Sequence, residues 1–251
     1  MSPIVSQHLL ITGAAGFLGR NICEVLGQDY TIRGLDVVAS DVVEDFVVGS
    51  VTDAALLDRA CDGIDAMVIA HMLPSGAENY ASVTRPFEVN VTGTGLLFEA
   101  AVRAGIRRVV LISSISVVNG QNAAGEFLSV DLPVTPDGIY PLTKALQEEV
   151  ARYFHRKHGL QIAMLRPAYI AREDSLADKY GIKRPTVNWQ FTDPRDIGRA
   201  VGCALRVPDM ACEAFFVACG PHVDSRVDVA RTRERLGWKP LHTFSQYPED
   251  A

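Results

Sequence analysis

The chain has 251 residues, 48% of them hydrophobic and 22% charged, with a formal net charge of -6. Such a chain is long enough for one large core, and its acidic balance, with no basic run, excludes a nucleic-acid-binding footprint. Its longest apolar runs, such as VVLI at 109–112, are far too short to cross a bilayer, so no membrane partner is expected.

The N-terminus has no basic stretch ahead of an apolar core, so no signal peptide is read. Cys23, Cys61, Cys203, Cys212 and Cys219 are scattered, without a C-x-x-C pair, and read as reduced thiols in a cytoplasmic protein with no metal site.

In chain order, HLLIT at 8–12 is a short apolar run that leads straight into glycines. GRNICEVLG at 19–27 reads as a helix stopped at Gly27, and TIRGLD at 31–36 as a strand. Asp53 is a good N-cap for a helix over DAALLDRAC, and DAMVIA at 65–70 is strand-like. A long helix follows, clearest over VTGTGLLFEAAVRAG, and then RRVVLISS at 107–114 has the pattern of a buried strand. A helix from Tyr140 to a stop at Gly159 leads to the strand LQIAMLRP. Beyond Pro167 the pattern loosens, apart from a last short helix in ARTRERLGWKP. Alternating helices and continuously apolar strands predict an α/β fold, a Rossmann-type doubly wound parallel sheet with helices on both faces. One domain spans 1–251, with a small C-terminal substrate lobe expected mainly from 167–192 and 219–251.

TGAAGFLG at 12–19 spaces Gly13, Gly16 and Gly19 three apart, between a predicted strand and a predicted helix. Gly13 permits a tight turn, Gly16 lets the backbone approach a pyrophosphate, and Gly19 lets helix and strand pack closely. The unpaired N–H groups of the helix N-terminus suit phosphate. Asp36, at the end of the next strand, can accept from both ribose hydroxyls of an adenosine and repels a 2′-phosphate, which favours NAD over NADP.

YPLTK at 140–144 places Tyr140 and Lys144 at i and i+4, one above the other on a helix. Alone, the pair equally fits a solvated helix face. Trp189, Phe191 and Trp238 read as packing for the small lobe, and Asp193 and Asp196 as caps at a helix start.

The motifs TGAAGFLG, Asp36, NVTGTGLLFEAA, LISS, YPLTK and LRP occur in the order of the extended short-chain dehydrogenase/reductases, the NAD-dependent epimerase/dehydratase group, which the chain resembles over nearly its whole length. Within the group it looks most like the uronate dehydrogenases. The similar stretches are the glycine loop, the helix around Asn90, SSISVV, IYPLTKALQEEVARYFHRK, KRPTVNWQFTDPRD and RTRERLGWKP. The resemblance implies NAD as cofactor and oxidation of a small substrate, a free hexuronic acid at its anomeric carbon. A sugar epimerase of the same family, or a dehydrogenase of a neutral sugar, is the alternative.

Carried over by residue, the resemblance makes Tyr140 the catalytic base, Lys144 its partner and Ser114 the hydroxyl of the triad. Ser113 and Ser116 compete with Ser114 for that place. Gly13, Gly16, Phe17, Leu18, Asp36, Asp53, Ala70 and Asn90 fall at cofactor-binding positions, together with Tyr140 and Lys144. Ser75, Ser114 and Arg184 fall at substrate-binding positions, Arg184 toward the sugar carboxylate. His71 reads as a wall residue. Ser50 replaces an acid often found beside the adenine, and Ile115 replaces a polar residue that faces the sugar in uronate dehydrogenases. The stretch from Pro167 to Trp189 is shorter than in relatives that hold a nucleotide sugar, which implies a small substrate. Pairing through the helices around Asn90 and Tyr140 implies a homodimer.

Chemically, oxidising an alcohol removes a proton from oxygen and a hydride from carbon. A tyrosine with a pKa of about 10 is a poor base at neutral pH. A neighbouring ammonium and the positive ring of the cofactor favour its phenolate.

Overall fold

The computed structural model describes residues 7–74, 76 and 78–250. The chain begins with β1 (His8–Thr12), α1 (Phe17–Leu26), β2 (Thr31–Asp36), β3 (Asp45–Val48), α2 (Ala54–Ala60) and β4 (Ala66–Ile69), alternating except where β3 follows β2 directly. Next, α3 (Thr84–Pro86), a π-helical turn (Phe87–Thr92) and α4 (Gly93–Ala104) run on without a break. β5 (Arg108–Ile112), a 3-10 turn (Ile115–Val118), α5 (Asn119–Ala123), α6 (Ile139–His158) and β6 (Gln161–Pro167) follow. The chain ends through β7 (Tyr169–Ile170), β8 (Phe191–Thr192), α7 (Pro194–Arg206), β9 (Cys212–Val217), a short 3-10 turn (Val223–Ser225) and α8 (Ala230–Leu236).

Seven strands form one sheet in the order β3-β2-β1-β4-β5-β6-β9, and every pairing is parallel. The chain builds outward from β1 in one direction, then from β4 in the other. The crevice above that reversal, at the carboxyl ends of β1 and β4, is where such sheets take ligands. Successive residues of one strand feed opposite layers. Leu9 and Ile11 join Ile22 of α1 and Ile197 and Val201 of α7 on one face. Leu10 joins Leu57 of α2, Leu97 and Phe98 of α4 and Phe154 of α6 on the other. Both faces are dry, which is why the strands are apolar without alternation.

Asp53 caps α2 as expected, its side chain accepting from Leu56 N. Gly159 ends α6 in the left-handed region, at φ 68°, which costs glycine no steric penalty. Two features were not read from the pattern: β3 is a short edge strand, and β9 lies where the periodicity loosened. α7 begins where Asp193 and Asp196 marked a helix start, and its buried face, from Ile197 to Leu205, is built largely of small residues.

Trp238 corrects the expected lobe packing: it is fully buried in the main core against α7, and its indole N–H donates to Asp196 O at 3.0 Å. Trp189 packs instead beside Val117, Val118 and Phe216. Phe191 does join a separate small cluster, with Ala171, Leu176, Val187 and Phe244. Asp193 caps α7, whereas Asp196, expected as a cap, sits in the first turn and turns its carboxylate away: it accepts from the backbone N–H groups of Leu241 and His242, at 2.8 and 2.9 Å, and anchors the C-terminal segment. Among the described residues, no helix is long and apolar enough to cross a membrane.

Candidate active site

The glycine loop sits at the head of the crevice. Gly13 has φ 72°, and its N–H donates to Leu35 O at 2.8 Å. A Cβ on Gly13 would come 2.9 Å from the backbone of His71, and one on Gly19 only 2.0 Å from Gly13 O, so both positions require glycine. Gly16 differs. A Cβ there would meet only Gly13 O, at 3.2 Å, so its open side faces space that an approaching group can fill. Gly16 is also the N-cap of α1, with no side-chain cap and no acid in the first turn, so the helix end at Phe17 and Leu18 keeps its positive pole for an anion. That arrangement fits a dinucleotide pyrophosphate.

Asp36 ends β2 beside this loop. Its carboxylate accepts from Ala15 N at 3.1 Å and from Val38 N at 3.2 Å, so it is held at the loop's edge. Ala70, just past β4, is pinned through its N–H to Thr12 Oγ1 at 3.2 Å and lies where Gly13 lacks a Cβ. Asp53 is exposed and occupied as a helix cap, and Ser50 is hydrogen-bonded to Thr52 Oγ1 at 2.8 Å.

Tyr140 stands in the first turn of α6, with Lys144 one turn on. Lys144 is buried, and its ammonium donates to Ile112 O at 2.9 Å while lying 6.0 Å from the Tyr140 ring centroid. Burial, helped by the charge of Lys179, brings Lys144 down to about 7, and Glu148 opposes this. Burial likewise pushes Tyr140 up to about 12, against a lowering hydrogen bond from Ser114. Burial thus favours the neutral form of both side chains.

The three competing serines separate by their partners. Ser113 Oγ donates to Glu148 Oε1 at 2.7 Å and is buried. Ser116 Oγ donates to Ser114 Oγ at 2.9 Å. Ser114 is the one whose hydroxyl meets Tyr140.

Asn90 is fully buried within the π-helical turn. Its Oδ1 accepts from Leu73 N at 2.7 Å, and its Nδ2 donates to Thr143 Oγ1 at 3.0 Å and to Tyr80 OH at 3.3 Å. Its amide braces the loop after β4 against α6. His71 is a wall residue as expected. Its Nε2–H donates to Val89 O at 3.2 Å, which leaves Nδ1 to accept from Thr12 Oγ1 at 3.0 Å. Burial, then the Lys144 charge, holds its pKa down at about 3, so it stays neutral. Tyr80, which no motif marked, packs edge-on against Tyr140 with ring centroids 5.9 Å apart, and its hydroxyl donates to Leu73 O at 2.9 Å.

Comparison with known proteins bears on this arrangement. Residues 9–171 match the NAD dependent epimerase/dehydratase family. The chain belongs to that family. It is an NAD-dependent enzyme of the short-chain dehydrogenase/reductase superfamily. It is 32% identical to a uronate dehydrogenase of Pseudomonas syringae pv. tomato, over 81% of this chain and 71% of that one. It is 26% identical to an L-arabinose 1-dehydrogenase (NAD(P)(+)) of Haloferax volcanii, over 93% of this chain and 96% of the other. A crystal structure of a short-chain dehydrogenase/reductase superfamily protein from Agrobacterium tumefaciens with bound NAD superposes with a TM-score of 0.82 at 25% identity, covering 96% of this chain and 94% of that one. Both sugar dehydrogenases and sugar epimerases stand among the relatives.

Within the family framework, the expected substrate residues are placed less tightly. Ser75 lies outside the described residues. Arg184 is exposed, with its guanidinium 4.7 Å above the Tyr169 ring. Tyr169 OH donates to Asp178 Oδ2 at 3.0 Å. The Tyr169 hydroxyl, then Asp178 and Asp250, hold the Arg184 pKa above its ordinary value. Asp250 is itself fixed by Thr186 Oγ1 and by Asn188 Nδ2, the latter at 2.7 Å. Tyr169, Arg184, Thr186, Asn188 and Asp250 line a cavity of about 170 Å³. Tyr180, from the same segment, approaches the catalytic end closely enough for its phenol to raise the pKa of both Tyr140 and Tyr80.

Proposed function

We propose that the chain oxidises a small free sugar, a hexuronic acid, at its anomeric carbon with NAD. The observation that carries this reading is the meeting of Ser114, Tyr140 and Lys144 at the end of β5, beside the open glycine loop. Tyr140 Oη receives the proton of the substrate hydroxyl. Ser114 Oγ hydrogen-bonds the same oxygen and orients it. The Lys144 ammonium, when protonated, favours the phenolate form of Tyr140. NAD, when bound, supplies the hydride acceptor and the positive ring that brings the phenolate within reach. Gly13, Gly16, Phe17 and Leu18 would hold its phosphates, Asp36 its adenosine ribose, and Ala70 and Lys144 the far end.

The short stretch from Pro167 to Trp189 supports a small substrate; Leu176, Val187 and Phe191, from the segment between β6 and α7, pack with Phe244 of the C-terminal segment. This is the proposed substrate lobe, with 167–192 as its main part and the C-terminal segment closing it. Arg184 would receive the sugar carboxylate through two parallel N–H bonds. A neutral aldose is the second reading. Asp178 and Asp250 favour it, because two carboxylates already flank that guanidinium.

The test is NADH formation with D-glucuronate, D-galacturonate, L-arabinose and D-xylose. Stoichiometric NADH, fastest with the uronates, is expected. Faster oxidation of the aldoses would replace the acid reading with the neutral one. Interconversion of sugars without net NADH would replace both with an epimerase.

A further inference from the structure

α6 directs three ionisable side chains to one face, at intervals of one turn: Tyr140, Lys144 and Glu148. The reaction proposed above uses the first two. Glu148 is fully buried, and both of its oxygens are engaged. Oε1 accepts from Ser113 Oγ at 2.7 Å and from Arg166 Nε at 2.8 Å. Oε2 accepts from Arg166 Nη2 at 2.7 Å and from Arg152 Nη2 at 3.0 Å.

Two guanidiniums already neutralise this carboxylate, so the Ser113 hydroxyl is not needed to balance its charge. What that hydroxyl adds is a tether between α6 and β5. A second tether lies one turn earlier, where Lys144 Nζ donates to Ile112 O at 2.9 Å. Consecutive residues at the end of β5, Ile112 and Ser113, are thus each held by an α6 side chain. Arg166 of β6 locks the carboxylate from the other side, and Ser113 N donates to Leu165 O at 2.7 Å. The next residue is Ser114.

We propose that Glu148 is a positioning residue, which acts through the Ser113 hydroxyl to fix the end of β5 where Ser114 meets Tyr140. The proposal rests on the reading of Ser114 and Tyr140 as the reacting pair. A misplacement of about 1 Å can lower turnover about 100-fold, so loss of one tether of two should lower it about tenfold.

Ser113→Ala removes the tether and leaves both arginine pairs of Glu148. With NAD and whichever of the four sugars the parent oxidises fastest, kcat should fall about tenfold. The KM for the sugar and the Kd for NAD should stay within about twofold of the parent. A purely structural serine would lower Tm and leave kcat unchanged at temperatures well below it. Glu148→Gln turns one acceptor into a donor facing guanidiniums and should lose at least as much turnover. A kcat within about twofold of the parent in either variant overturns the proposal. A crystal structure of Ser113→Ala reads the same point without turnover: Ser114 Oγ should be displaced from Tyr140, and an unmoved Ser114 also overturns the proposal. Tyr140→Phe separates the two readings. Turnover surviving in Tyr140→Phe removes the reading of the site itself, whereas an inactive Tyr140→Phe beside a normal Ser113→Ala removes only the part assigned to Glu148.

Discussion

At the end of β5, the polar side chains that approach Tyr140 are tied into the core, whereas in the wall of Tyr169, Arg184 and Asp250 the charged groups stand close to solvent. Glu148 and Arg166 form a fully buried, two-bonded ion pair. Breaking such a pair by removing one partner costs about 3–5 kcal/mol, because the other charge is left buried and alone. Arg184 is exposed and rests on a ring and on nearby carboxylates. Exposed pairs of that kind contribute about 0–1 kcal/mol. Removing Glu148 or Arg166 from this floor therefore endangers the fold, while the wall can change its charge at little cost.

The sharpest way to break the contrast is to take the charge out of the floor. Lys144 ordinarily has a pKa of 10.5, and burial brings it to about 7. Between these values the unfolded chain binds more protons than the folded one, so this group makes stability rise with pH from about 7 to 10.5 and disfavours the fold below that window. Lys144→Met should stabilise the fold near neutral pH, by on the order of 2 kcal/mol, and flatten that rise. Turnover should fall by about 100-fold or more. Urea unfolding across pH, beside steady-state kinetics, measures both. A variant less stable than the parent at neutral pH would show that the hydrogen bond to Ile112 O outweighs the burial of charge.

The wall should respond in the opposite sense. Arg184→Ala should leave stability and NAD affinity unchanged, yet lower kcat/KM for uronates by roughly 30-fold, the worth of a lost charge-assisted contact. Neutral aldoses should be little affected. Equal losses for both classes of sugar would mean that Arg184 shapes the wall rather than reading a carboxylate. The smallest effect is expected at the cofactor end, where Asp36→Ala should narrow the preference for NAD over NADP by about tenfold, through lost repulsion of the 2′-phosphate. Calorimetric titration with both dinucleotides would show it, and an unchanged ratio would place the discrimination elsewhere.

Much of this was legible because it is local. Continuous apolar runs marked β1, β4, β5 and β6, and the glycine spacing between a strand and a helix marked the dinucleotide loop. Tyr140 and Lys144 share a helix face for the same reason, since i and i+4 are neighbours in any helix. The misses share a different property. Glu148 lies in plain view in YPLTKALQEEV and reads as a solvated helix residue until Arg166, 18 positions later, is seen to cover it. Asn90 bridges Leu73, Tyr80 and Thr143, none of them adjacent in the chain. Trp238 looked like lobe packing because its distance from α7 in sequence conceals their contact.

By itself, the sequence determined the parallel sheet, the open glycine turn, the carboxylate at the end of β2 and the tyrosine–lysine face, because each depends on residues within one or two turns or on one strand's apolar pattern. Only the tertiary structure decided which serine meets Tyr140. Ser113, Ser114 and Ser116 are chemically identical and nearly adjacent. Long-range partners separate them: Glu148 takes the first, Tyr140 faces the second, and the third donates back to Ser114.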